Sequence, residues 1–234
     1  MRTAHKWKKM PGNVDKLHTS QIFESSNEYG IPDLKNDQFV PEWLLPVKQR
    51  VQYNKTEEEM KKGAVHFFVD DYHFEHIWTR PEQTFSLVQR TGNALTPDFS
   101  LYTDWPIVVQ LWNTYRNRWM GAFWQSRGIK VIPSVSWSTK ESYKFCFLGI
   151  EKGSNVAIST VGVNRDPEVK KLFIAGFEEM VKQIEPKTIL VYGEKAPLTI
   201  EDYAETRWYP SYWKTMRDIV TKKKEPVIEK HEEE

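Results

Sequence analysis

From residue 64 onward the hydrophobic positions fall into two alternating patterns. Short β-branched and aromatic runs, bounded by Gly and polar residues, predict buried strands at 64–69 (AVHFFV), 95–101, 129–135 (IKVIPSV), 155–161 (NVAISTV) and 188–192 (TILVY). The second of these is weakened by Pro97, since proline has no N–H for a strand ladder. Helical spacing separates the runs. Residues 106–127 place Ile107, Leu111, Tyr115, Trp119 and Ala122 on one stripe, with Asp104 as start signal and Gly128 as stop. Ser138 and Glu141 match a capping box for a helix ending near Gly149. Asp166 and Pro167 open a helix with Val169, Leu172, Phe173, Gly176, Met180 and Ile184 on its apolar stripe, and Pro186 ends it. Residues 71–89 are helical in part, and 208–224 read as a terminal helix.

Strands alternating with helices predict an α/β fold with parallel pairing, because each crossover returns the chain to the same end of the sheet. Right-handed crossovers leave an incomplete barrel-like arc resembling part of a (β/α)8 barrel, or an open doubly wound sheet. Five strands are too few for a full barrel, and the arc is preferred.

Residues 1–62 differ. Pro11, Pro32, Pro41 and Pro46 interrupt them, and Phe39, Val40, Trp43, Leu44 and Leu45 are their apolar positions. This pattern predicts an irregular N-terminal arm wrapped around an α/β domain spanning 63–220. Residues 221–234 (TKKKEPVIEKHEEE) are dense in charge and read as a disordered tail.

Composition narrows the chemistry. The formal net charge is +1, from 33 basic and 32 acidic residues, which removes the simplest electrostatic argument for nucleic acid. Cys146 is the sole cysteine, so the chain forms no internal disulfide and no cysteine zinc site. It lies in an apolar stretch and reads as an inert buried thiol, suited to a reducing compartment. No apolar core follows the basic residues 1–11, and no run reaches the roughly 20 residues a membrane span requires. A cytoplasmic protein without a membrane partner is expected. Ten Trp, ten Tyr and twelve Phe are read first as core and second as an aromatic-lined pocket.

In parallel α/β folds, ligands bind where strands end at their carboxyl side. That rule selects Asp70, Asp71 and His73 after the first strand, and Asp98, Ser100 and Asp104 around the second. Ser134, Ser136, Trp137 and Ser138 end the third, Ser159 and Thr160 the fourth, and Tyr192 the fifth. Asp70 and Asp98 are the candidate acid, base or polar anchors. Asp71, His73, Arg116, Ser134, Ser136, Trp137, Ser159, Thr160 and Tyr192 are candidate ligand contacts. Helix capping competes as the reading of Asp70, Asp104 and Ser138, and a solvent-facing charge as that of Arg116. The crowded Asp71, His73, Glu75 and His76 do not match metal-ligand spacing, so no metal site is assigned. No phosphate-binding glycine loop and no nucleophile elbow is present, and no cofactor is specified.

The strings AVHFFVDDYHFE (64–75), LTPDFSLYTD (95–104), VQLWNTYRNRWMGAFWQ (109–125) and GIKVIPSVSW (128–137) resemble the domain-of-unknown-function 4417 family. FCFLG (145–149), VAISTVG (156–162) and VYG (191–193) continue the resemblance, which covers residues 35–195. It implies a phage or mobile-element protein of a bacterial cytoplasm, with no activity attached. Two functions follow. One is a site for a small polar or nucleotide-like ligand at the strand ends. The other is an interaction protein that meets a host protein or nucleic acid through the basic N-terminus (Arg2, His5, Lys6, Lys8, Lys9) and exposed tryptophans.

Overall fold

The computed structural model describes residues 14–47, 55–215 and 217. Among these residues seven strands form two parallel sheets. The first contains β1 (Trp43–Pro46), β2 (Gly63–His66), β3 (Asn93–Leu95) and β4 (Lys130–Ile132), hydrogen-bonded in that order. The second contains β5 (Val156–Ser159), β6 (Thr188–Tyr192) and β7 (Glu205–Tyr209). The helices are α1 (Glu57–Lys61), α2 (Glu75–Thr79), α3 (Pro81–Thr84), α4 (Ser86–Gln89), α5 (Ile107–Gln125) and α6 (Pro167–Ile184).

One isolated parallel bridge, Ser134 to Ala157, links the two sheets. The Val135 N–H donates to the Ala157 carbonyl at 2.8 Å, and the Ala157 N–H to the Pro133 carbonyl at 2.9 Å. Strand order never reverses, so every crossover advances the chain by one position along an arc. The arc does not close into a barrel. Between β7 and the segment before β1, the contact is a side-chain one: the Tyr209 hydroxyl donates to the Pro41 carbonyl at 2.5 Å.

The pleat sorts the strand residues onto two faces. Val65, Ala94 and Val131 pack with Trp119, Met120 and Phe123 of α5. Val156, Ile158, Ile189 and Val191 pack with Phe173, Phe177 and Met180 of α6. The opposite faces meet one another: Leu95, Ile132, Ala157, Leu190 and Tyr209 form one cluster, joined by Leu44 of β1. Burial of these apolar faces, at about 25 cal/mol per Å2, is the main force holding the arc.

Several elements depart from the sequence expectation. Residues 43–46, read as apolar anchors of an arm, form a strand. Residues 205–209 form β7, so the expected helix over 208–224 starts later than its first residues: 212–215 and 217 are helical. Burial in β7 alternates along the strand, from exposed Glu205 to buried Tyr209, because an edge strand shows one face to water. Residues 218–224 of the expected terminal helix lie outside the described residues, as do 1–13 of the arm and the tail. No α-helix forms at 138–149. A 3-10 helix spans Lys140–Lys144, its N-cap is Thr139 without a side-chain bond, and the Ser138 hydroxyl donates to Gln110 of α5. Asp104 does not cap α5, whose N-cap is Pro106. α6 forms as expected: Asp166 accepts from the backbone N–H groups of Glu168 and Val169, Pro167 occupies the first turn, and Glu185 ends it in the left-handed region.

The expected α5 stripe is buried at Trp119 and Ala122 and partly buried at Leu111 and Tyr115, but its first turn is exposed and polar positions are buried beside it. Ile107, Val108 and Val109 are exposed, while Gln110, Asn113, Asn117 and Arg118 are buried. Polar side chains satisfy carbonyls at the strand ends, so the polar groups turn inward. Asn117 donates to the Pro97 carbonyl at 2.7 Å. Arg118 donates to the carbonyls of Leu148 at 3.0 Å and Cys146 at 2.8 Å.

Candidate functional site

Parallel alignment brings the carboxyl ends of the strands to one edge, and a cavity of about 730 Å3 opens there. Six residues selected from the sequence line it: Asp70, His73, Asp98, Ser100, Ser159 and Tyr192. Asp70 follows β2 and makes no side-chain capping bond to the 3-10 turn Asp71–His73, so its carboxylate is exposed at the cavity. Asp98 lies three residues past β3, where Pro97 has already ended the ladder. Its Oδ1 is buried and has no hydrogen-bond partner.

Burial first, and the neighbouring Asp71 carboxylate second, push the Asp98 carboxyl up to about 7; a hydrogen bond from Ser136 acts the other way. Asp98 therefore exchanges its proton near neutral pH, and in the protonated form it donates as well as accepts. Asp71 is fixed beside it. Its carboxylate accepts from the Ser100 N–H at 3.0 Å and the Ser100 hydroxyl at 2.9 Å, and Ser100 itself lines the cavity.

Aromatic rings wall the other side. Phe68 and Tyr192 stack with centroids 5.2 Å apart. The Tyr192 hydroxyl accepts from the Tyr212 N–H at 2.9 Å, which draws the segment after β7 across the mouth. Tyr212 and Trp213 line the cavity while remaining exposed, Trp213 at 71%. His66, beneath Tyr192 at 4.6 Å between centroids, is held neutral by burial, which pushes its pKa down to about 3.

A second cavity of about 400 Å3 adjoins the first, and Asp98, Tyr102 and Ser159 line both. Ser136 and Trp137 lie on the walls of this second space. The remaining candidates are placed elsewhere. Arg116 donates to Glu75 at 2.5 Å and to Asn113 at 2.6 Å and sits 3.8 Å above the Phe99 ring. Ser134 is buried behind the strand ends, where its N–H donates to the Thr96 hydroxyl at 2.7 Å. Thr160 is buried under Gly193, whose missing Cβ would lie 2.1 Å from the Thr160 Oγ1. Among the described residues no group of three His, Cys, Asp or Glu side chains is placed to hold a metal ion.

Sequence reading missed Phe68, Tyr102, Ser211, Tyr212 and Trp213 on the cavity wall. The last three follow β7, which the sequence reading does not predict, and only that strand carries them to this edge. An alternating ETRWY run followed by Pro210 carried the signal of a strand whose end faces the same edge.

No helix among the described residues is long and apolar enough to cross a membrane. No solved structure matches the chain. Two relatives from mycobacterial phages do. The chain is 43% identical over 220 residues to the Gene 1 protein of Mycobacterium phage L5, covering 94% of this chain and 95% of that one. It is 39% identical over 224 residues to the Gene 1 protein of Mycobacterium phage D29, covering 94% and 81%. The family described as Domain of unknown function (DUF4417) matches residues 23–210, from before β1 to just past β7. The chain that builds this all-parallel arc and its strand-end cavity thus belongs to the DUF4417 family.

Proposed function

We propose that the strand-end cavity binds a small nucleotide-like ligand, in the cytoplasm of a bacterial host. The observation that carries this reading is one 730 Å3 space bordered by both Asp70 and Asp98 and walled by Phe68, Tyr192 and Trp213. That volume suits a small molecule. Flat aromatic faces stack on a heterocyclic base, a contact worth about 1–3 kcal/mol per base elsewhere. Carboxylates and hydroxyls accept from base N–H and sugar O–H groups. Base and sugar are the parts of a nucleotide that these walls would contact, since Arg116 is engaged with Glu75.

The test is a thermal-shift series with adenosine, guanosine, cytidine, uridine and their 5′-monophosphates. A rise in Tm that is lost in Asp70→Asn and in Asp98→Asn is expected. Shifts that persist unchanged in both variants would sink the reading.

A second reading has its own observation. Tyr72, Tyr102 and Trp213 are 74, 55 and 71% exposed around the same edge. Exposed aromatics of this kind serve as contacts to a protein or nucleic acid. Under that reading, Trp213→Ala abolishes capture of a macromolecule while small ligands produce no shift.

A further inference from the structure

The two adjoining cavities differ in chemistry. The first carries Asp70, His73 and Asp98 among aromatic rings. The second is walled mainly by apolar side chains, among them Val135, Trp137, Ile158, Leu172 and Phe173, with the hydroxyls of Thr103, Ser136 and Ser138 at its margin. The cavities share Asp98, Tyr102 and Ser159 as walls, so the two spaces lie side by side.

The apolar space is built into the fold. Trp137 forms its wall because α6 carries glycine at 176: a Cβ there would stand 2.1 Å from the Trp137 ring. The indole N–H is satisfied by the Leu172 carbonyl at 3.2 Å, and the ring packs on Phe173 at 5.4 Å between centroids. The wall is therefore fixed before any ligand arrives. Water gains little in an apolar space, whereas an engineered apolar cavity of about 150 Å3 already takes up benzene. At about 400 Å3 the second cavity has room for a ring or a branched chain.

Asp98 stands at the junction with an unpartnered buried Oδ1. A polar linking group, such as an amide or a secondary amine, would bring the missing partner to that oxygen. Its carboxyl, pushed up to about 7, can meet such a group as donor or acceptor.

We propose that the site is bipartite: the strand-end cavity takes a polar flat ring, and the adjoining cavity takes an apolar substituent of the same ligand, joined past Asp98. The ligand class is a nucleoside or nucleobase bearing an aryl or branched aliphatic group on an exocyclic nitrogen. This inference rests on the proposed binding of a nucleotide-like ligand, and its test separates the two.

The experiment is titration calorimetry of the full chain with adenosine, N6-benzyladenosine, cytidine and N4-benzylcytidine. It is repeated with Val169→Trp, which places bulk at the second cavity from a 42% exposed position on α6. A melting curve of each protein confirms that it is folded. At least one benzylated probe is expected to bind about tenfold or more tighter than its parent. In Val169→Trp that advantage is lost while the parent binds as before. If a parent nucleoside binds and its affinity falls in Asp70→Asn, but no benzyl group adds affinity, the bipartite inference fails and the proposed function stands. If none of the four probes binds, the proposed function fails and carries the inference with it.

Discussion

Two polar regions of this molecule lie side by side and behave in opposite ways. On the inner face of α5, Asn113, Asn117 and Arg118 are buried, and each side chain is bonded to a named partner. Asn113 ties the Ser100 carbonyl at 2.7 Å, and Arg118 spans the carbonyls of Leu148 and Cys146. At the strand ends a few residues away, Asp70 makes no cap and the Asp98 Oδ1 has no partner. The contrast teaches that burial of a polar group is not itself a functional sign. A saturated buried cation is part of the frame, whereas an unsaturated buried carboxyl at a cavity is held at a cost of about 1–3 kcal/mol that a ligand can remove. The separation is not absolute, since the Arg116 Nε, the Ser134 Oγ, the Thr160 Oγ1 and the Asn155 Oδ1 also lack partners.

The largest effect expected from breaking this contrast is on the frame side. Arg118→Met removes the donors to Leu148, Cys146 and Asn117 and should destabilise the fold by about 3–5 kcal/mol, read as a lower urea midpoint. A loss below about 1 kcal/mol would show that the α5 network does not hold the strand ends.

On the site side, Asp98→Asn should change the pH dependence of stability. The carboxyl moves from its ordinary 3.8 up to about 7 in the folded protein, so the folded state binds the proton more tightly than the unfolded chain. Its contribution to stability is full below about pH 4, declines as pH rises toward 7, and is gone above that. His66, moved from 6.5 down to about 3, gives the opposite slope between those values and is shared by both proteins. The difference between wild type and Asp98→Asn therefore isolates Asp98. The variant should gain roughly 4 kcal/mol relative to wild type between pH 4 and pH 8. A flat difference curve would mean that Asp98 is ionised throughout.

Gly176→Ala should cost about 1–3 kcal/mol through the Trp137 ring, with a change in tryptophan emission. The smallest stability effects belong to Asp70→Asn and Trp213→Ala, at within about 0.5 kcal/mol of wild type in chemical denaturation. Both should nevertheless reduce ligand-induced thermal shifts. Stable folding with lost binding is the signature that distinguishes the cavity from the frame.

Four strands were readable from the sequence because their runs are continuous and apolar, as strands covered on both faces require; the one expected at 95–101 instead forms at Asn93–Leu95, because Pro97 breaks the ladder beyond it. β1 and β7 were not readable. β1 is four residues ending in Pro46, and β7 is charged and half exposed. Both lie at ends of the hydrogen-bonded order, where one edge needs no partner and composition is least constrained. The site followed the same division. Asp70, His73, Asp98, Ser159 and Tyr192 were found because they end recognised strands. Tyr212 and Trp213 were missed with β7. Arg116 stood among the ligand contacts because a helix face does not reveal that Glu75, 41 residues earlier, lies opposite.

The order of residues alone determined the family, the parallel α/β character and which polar groups stand at strand ends. Each depends on local spacing, and spacing is written in the chain. The partner of each polar group was decided only in three dimensions. Arg118 became structural and Asp98 remained unsatisfied because long-range packing brought carbonyls to one and a cavity to the other. No pattern within a single segment records what another segment leaves open.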